Sequence, residues 1–268
     1  MPGQPTVADY HMHTIWSGHA TGTMEEYVQR AVELGLPEMG FSPHLPMPIP
    51  INEKVCVSEQ DMPALLEEFR RLRKAYAGTI PIRLGGECDF LPGCEKHIER
   101  MKSDYALEYL IGSVHFIGGW AFDHPRYAWE FEERSVEQVY RDYFALVEQA
   151  AKSRLFDVIG HLDLPKKFGH RPPGGCVEIA RKAIEALAAA GMAFEINTAG
   201  KDKPVGEFYP SPDLVAECRR AGLSLVFGSD SHAPAEVGRY FADAVAAARS
   251  AGCTQTLRFG SRTFVPLP

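Results

Sequence analysis

The 268-residue chain has no C-x-x-C pair; its six cysteines (Cys56, Cys88, Cys94, Cys176, Cys218 and Cys253) are scattered along it. That spacing excludes a zinc ribbon and a disulfide framework, so reduced thiols are expected. There is no basic excess either. With 28 Lys+Arg against 35 Asp+Glu the formal charge is −7, and a chain of that sign gains nothing from counterion release on a phosphate backbone. Nucleic acid is therefore not an expected partner. No run approaches the roughly 18 apolar residues that a membrane span needs, so no membrane partner is expected. The opening Met1-Pro-Gly-Gln-Pro-Thr6 lacks the basic and then apolar segments of a signal peptide, which points to the cytoplasm. Low-complexity linkers and composition shifts are also missing, and one domain over residues 1–268 is expected.

What remains is an ordinary globular composition, 45% apolar and 24% charged, on a chain long enough to bury roughly three quarters of its unfolded surface. Short β-rich runs alternate with segments of helical period, the pattern of βαβ units around a parallel sheet. Seven such runs are expected: Val7 to His13, Glu38 to Ser42, Ile82 to Phe90, Tyr109 to Phe116, Phe156 to His161, Ala193 to Thr198 and Leu223 to Ser229. The clearest amphipathic helix is Ser135 to Ser153, where Val136, Val139, Tyr140, Tyr143, Phe144 and Val147 recur at three and four. Thr23 with Glu26, and Ser135 with Gln138, form capping-box patterns at helix entrances, and Ser211 before Pro212 is a third entrance. Gly35, Gly78, Gly191 and Gly222 stand where helices should end. Pro43 to Pro50 and Gly118 to Glu133 look like long functional loops.

Histidine is the abundant residue of interest. Seven of the ten histidines sit beside turn residues or at the ends of apolar runs. His11 and His13, two apart on one strand, must share a face. His44 follows the second run, Glu87 lies near the end of the third, and His115 and His161 end the fourth and fifth. Asp230 and His232 follow the seventh, and His19 lies in the loop after the first. All are at carboxyl ends, which in a closed α/β barrel meet at one mouth. Any one of these side chains alone is more simply a hydrogen-bonded core or surface group. Nine imidazoles and carboxylates together are costly to desolvate without cations, and that conjunction points to bound metal.

At these residues the sequence resembles the polymerase-and-histidinol-phosphatase (PHP) family, and within it the monofunctional histidinol-phosphate phosphatases. The likeness is carried by His11-x-His13, Gly86-Glu87-Cys88-Asp89-Phe90, Gly112-Ser113-Val114-His115-Phe116-Ile117-Gly118-Gly119, Gly160-His161-Leu162-Asp163 and Gly228-Ser229-Asp230-Ser231-His232. It spans about residues 7 to 250. The resemblance implies an α/β fold, a distorted (β/α)7 barrel, with a trinuclear metal centre. It gives one ion to His11, His13, Glu87 and Asp230, and a second to Glu87, His115 and His161, with Glu87 bridging. A third would be held by His19, His44 and His232. Where His19 stands some relatives have aspartate, which should soften the third site and favour zinc or iron over magnesium. Three divalent ions, drawn from zinc, iron or manganese, are the expected cofactors.

Such a centre suits phosphate ester hydrolysis, in which cations clamp the phosphoryl oxygens and lower the pKa of a shared water. The expected activity is hydrolysis of L-histidinol phosphate to L-histidinol and phosphate in histidine biosynthesis, with Glu87, Asp230 and Lys167 as catalytic groups. Lys167 is preferred over its neighbour Lys166 from the family's basic position there; a solvated charge pair is the alternative. Lys203 is a further candidate for the substrate, and Trp120 and Asp123 are candidates to hold its imidazole and ammonium, with core packing the alternative for Trp120. Glu195 and Asn197 share a strand face and point either into the barrel or into a structural network. The rival within the fold is a phosphoesterase of nucleotides or phosphotyrosine. A non-enzymatic module is disfavoured, because structural sites are usually four-coordinate and closed. Whether the chain forms a homo-oligomer is left open.

Overall fold

The structure is a computed structural model that describes residues 7–48 and 55–268. The opening Met1 to Thr6 and the end of the Pro43 to Pro50 stretch lie outside the described residues.

Strands and helices alternate as the periodicity requires. In chain order they are α1 (Met24–Glu33), β1 (Met39–Phe41), α2 (Met62–Ala75), β2 (Ile82–Asp89), α3 (Glu95–Asp104), β3 (Tyr109–Ser113), β4 (Phe116–Ile117), β5 (Trp120–Ala121), α4 (Val136–Ser153), β6 (Val158–Ile159), α5 (Val177–Ala190), β7 (Ala193–Asn197), α6 (Pro212–Arg220), β8 (Ser224–Gly228), α7 (Phe241–Ser250), β9 (Gln255–Arg258) and β10 (Thr263–Pro266). Six strands pair in the order β1-β2-β3-β6-β7-β8, all of them parallel.

The first expected strand is not a continuous one. Residues 9 to 13 instead make isolated parallel bridges to both edges of the sheet, Asp9 to Met39 and Met12 to Ser231. Tyr10 N–H donates to Phe227 O on one side, and Gly40 N–H donates to Asp9 O on the other. The segment thereby joins β8 to β1 and closes the curl, which is the distorted (β/α)7 barrel. Its backbone is held by the buried Asp9, whose carboxylate accepts from the N–H groups of His11, Ser229 and Gly238.

Helix entrances follow the local chemistry. Thr23 caps α1 with both halves of the capping box, and Ser135 accepts from Gln138 N–H at the start of α4. At Ser211 no side-chain cap forms; Pro212 occupies the first turn, where a missing N–H costs nothing. Gly191 ends α5 in the left-handed region, whereas Gly78 is not left-handed and lies in the turn after α2. The apolar face of α4 is buried at Val139, Tyr140, Tyr143, Phe144 and Val147. Most of the core lies between sheet and helices. A smaller cluster of Tyr10, Tyr109, Ile111, Val158, Val226 and Phe259 fills the barrel interior. Tyr109 fits only because Gly40 and Gly85 face it, since a Cβ at either would collide with its ring or hydroxyl. No helix among the described residues is long and apolar enough to cross a membrane.

Candidate metal centre

The parallel sheet delivers the expected side chains to one end of the barrel. Glu87, on β2, stands at the centre, with a different set of groups facing each of its oxygens. Oε2 lies 3.2 Å from His11 Nε2, 3.4 Å from His13 Nε2 and 3.2 Å from His44 Nδ1. Oε1 lies 3.1 Å from His161 Nε2 and 3.6 Å from His115 Nε2, and accepts from Ser113 Oγ at 2.6 Å. Asp230 Oδ1 is 3.0 Å from His13 Nε2 and 3.7 Å from both His11 Nε2 and His232 Nδ1. His19 completes the cluster at its open side, its ring 4.7 Å from that of His232. As strand alternation requires, His11 and His13 point the same way.

Among the described residues, sets of donor atoms that lie within 4.8 Å of one another are His13-His19-His232, His11-His13-Asp230, His13-His44-Glu87, His44-Asp89-His115 and Glu87-His115-His161. Two of the three expected sets are recognisable in them. The third is divided: His19 and His232 group with His13, while His44 groups with His13 and Glu87 and with Asp89 and His115. The donor set fits divalent cations. His115 Nε2 and His161 Nε2 converge to 3.3 Å beside the same carboxylate oxygen, and two imidazole lone pairs at that distance need a proton or a cation between them.

Carboxylates behind the histidines set their tautomers, which is how ligating imidazoles are oriented. Glu195, on β7, sits 2.9 and 3.1 Å from His11 Nδ1. A carboxylate can only accept, so Nδ1 holds the proton and Nε2 faces Glu87. Glu195 also accepts from His161 N–H and Asn197 Nδ2. Asp89 does the same for His115, with Oδ1 2.8 Å from Nδ1. A Cβ on Gly228 would come within 2.6 Å of His11, so glycine is required there. Asp230 adopts the left-handed backbone region, and Arg239 pins that turn by donating to the carbonyls of Ser229 and Asp230.

Burial and charge act against each other here. Burial raises the Glu87 carboxyl, but the facing His44 and His11 hold it well below the usual range. Burial lowers His13, and His232 and His44 push it further down. Burial likewise takes His44 down to about 4, against the pull of Glu87. His115 is the opposite case: burial is overcome by Asp89 and Asp123, and the imidazole rises to about 10.

The cluster opens into a cavity of about 640 Å³ whose wall includes Met47, Phe116, Asp123, Lys167, Phe168, Lys203 and Tyr209. Asp123, Lys167 and Lys203 are thus where a substrate would meet them. Trp120 is not. Its ring is buried against Phe122 and Phe131, its Nε1–H donates to Tyr127 O and Arg134 stacks over it. The 3-10 segment Pro125–Glu133 folds back over the loop and takes Trp120 into the core, so the expectation that it holds the imidazole is corrected. Lys166 is also structural, buried against Asp163 at 2.9 Å and donating to Phe208 O. Asp89, Ser113 and Tyr209 carry no role in the sequence reading. For Asp89 a signal was present: two residues beyond Glu87 on the same strand, it must share the Glu87 face. Tyr209, whose hydroxyl is buried without a partner, arrives from a loop that no periodicity places.

A curled parallel barrel with seven histidines and two carboxylates gathered at its carboxyl-terminal mouth defines a candidate divalent-metal centre of hydrolase type. The chain belongs to the PHP family, whose domain matches residues 9–199; Asp230 and His232 lie beyond that match. It is 45% identical over 97% of its length to a protein of Deinococcus radiodurans named a probable histidinol-phosphatase, covering 99% of that protein. It is 26% identical over 86% of its length to the histidinol-phosphatase of Bacillus subtilis, covering 95% of that enzyme. The fold superposes with a TM-score of 0.79 on the histidinol phosphate phosphatase of Lactococcus lactis, whose crystal structure contains zinc, L-histidinol and phosphate. That match has 21% identity and covers 97% of this chain and all of the other.

Proposed function

We propose that the protein hydrolyses L-histidinol phosphate to L-histidinol and inorganic phosphate, as a step of histidine biosynthesis, using divalent metal ions held at the barrel mouth. The observation that carries this reading is the division of the Glu87 carboxylate, each oxygen facing its own set of histidines. The two histidinol-phosphatase relatives above support the choice of substrate.

In this reading His11, His13, Glu87 and Asp230 hold one ion, Glu87, His115 and His161 a second, and His19, His44 and His232 a third. The imidazole-rich set suits zinc, iron or manganese. When bound, the ions would neutralise the phosphoryl oxygens and lower the pKa of a water close to them. The chain's own groups do the rest. Glu195 and Asp89 keep His11 and His115 in the tautomers that turn Nε2 to the centre. Lys167 and Lys203 bind phosphoryl oxygens, Lys167 from the cavity wall and Lys203 from its exposed rim. Asp123 takes the substrate ammonium, and the apolar wall of Met47, Phe116 and Phe168 covers its carbon skeleton and excludes water.

The metals treat all monoesters alike, so selectivity must come from the wall. A charge-assisted contact to the ammonium contributes about 1.5 to 3 kcal/mol, or roughly ten- to a hundredfold in kcat/KM. Histidinol phosphate should therefore exceed p-nitrophenyl phosphate, AMP and phosphotyrosine by well over tenfold in kcat/KM, and all four rates should vanish with chelator. Equal values, or a preference for AMP, would favour the nucleotide phosphoesterase instead.

A further inference from the structure

Lys167 and Asp123 are each other's partner, with Nζ and Oδ2 3.0 Å apart. They come from different loops, Asp123 from the turn after β5 and Lys167 from the 3-10 turn after β6, so the pair bridges the wall of the cavity that holds the metal-binding cluster. Both side chains are largely withdrawn from water, 17% and 20% exposed, and Lys167 Nζ also sits 5.7 Å over the Phe168 ring.

This pairing makes the two groups interdependent. An incoming phosphate dianion attracts Lys167, but a lysine that turns to it leaves the Asp123 carboxylate without its hydrogen-bonded partner, with His115 and His161 still near it, and close to a second anion. A phosphate ester that also carries a cation removes that penalty, because its cation takes the place that Lys167 leaves. Resting on the placement of the phosphate at the cluster given above, we propose that substrate binding exchanges the Asp123–Lys167 pair for two new ones. Lys167 goes to a phosphoryl oxygen and Asp123 to a cationic group on the same molecule, so the cavity selects zwitterionic phosphate monoesters. Asp123 then opposes the binding of phosphate alone and favours that of a cation-bearing ester.

The opposite signs make the test. Inorganic phosphate is titrated calorimetrically into the zinc-reconstituted protein, with zinc content measured in every variant. Asp123→Asn, which frees Lys167, should tighten phosphate about three- to tenfold. Lys167→Met should weaken it, and in the Lys167→Met background the gain from Asp123→Asn should shrink to the part that comes from removing the carboxylate's repulsion of phosphate. In the unaltered protein O-phosphoethanolamine should bind more tightly than ethyl phosphate, and Asp123→Asn should erase that order. Phosphate binding unchanged or weakened in Asp123→Asn would make the pair a static strut and overturn the exchange, as would loss of zinc from that variant. If histidinol phosphate proves a poor substrate while both phosphate arms behave as stated, the exchange stands and only the choice of substrate falls.

Discussion

At the scale of single residues, the positions that bind and the positions that orient should separate experimentally. Glu87 faces histidines with both oxygens, so Glu87→Gln removes charge from both of the proposed sites that share it. Metal content should drop, and turnover should fall by several orders of magnitude. Asp89→Asn leaves all nine mouth side chains in place and removes the negative charge that Asp89 presents to Nδ1 and the backbone N–H of His115. The expected loss is about 10- to 100-fold in metal affinity or activity. Elemental analysis and kcat on the same preparations check both; near-normal turnover in Glu87→Gln would refute the bridge. The nine mouth residues are legible in the sequence because they stand at or just beyond the carboxyl ends of apolar runs, His19 in the loop after the first, where chain direction decides the end of the barrel. Trp120 was misread because nothing local distinguishes an aromatic on a cavity wall from one buried by a later segment. Its burial depends on Phe131, eleven positions on.

At the scale of elements, six of the seven expected runs became sheet strands. The first became a bridging segment because its hydrogen bonds are shared between β8 and β1. The carboxyl-terminal hairpin of β9 and β10, paired antiparallel, was outside the βαβ reading altogether. Its function is visible only in three dimensions. Phe259, just after β9, stacks on Tyr109 at 4.8 Å between centroids and meets Tyr10 edge-on at 4.9 Å, which places it in the interior cluster. Tyr10 hydroxyl accepts from Phe259 N–H and donates to Glu38, and Glu38 is paired with Arg83. Phe259→Ala should therefore cost about 3 to 5 kcal/mol of stability. It touches no mouth residue, so kcat of the folded variant should stay within about twofold of the unaltered protein. Denaturant unfolding and steady-state kinetics check the pair of outcomes; a large loss of kcat at unchanged stability would contradict this division.

For the whole molecule, the mouth side chains join segments far apart in the chain, from His11 to His232, so bound ions act as staples on the barrel as well as reagents. A ligand that binds only the folded state at a thousand times its Kd stabilises it by about 4 kcal/mol, and for a chain of this size each kcal/mol moves Tm by roughly 2 to 4 °C. The three proposed sites are not equally enclosed. His11, His13, Glu87 and His161 are buried, whereas His19 is exposed and His232 half-buried. The third ion should thus be the first to leave, and because His19 and His232 lie at the open side of the cluster its loss should disturb the barrel least. Graded chelation of protein that starts with about three ions per chain should remove one ion with a small fall in Tm. The remaining two, which share Glu87, should leave together with a fall of roughly 8 °C or more. Parallel elemental analysis and calorimetric melting check this order. Loss in a single step, or a reconstituted content of one ion or none, would refute the trinuclear assignment, while the exposure difference between His19 and His161 would then need another cause.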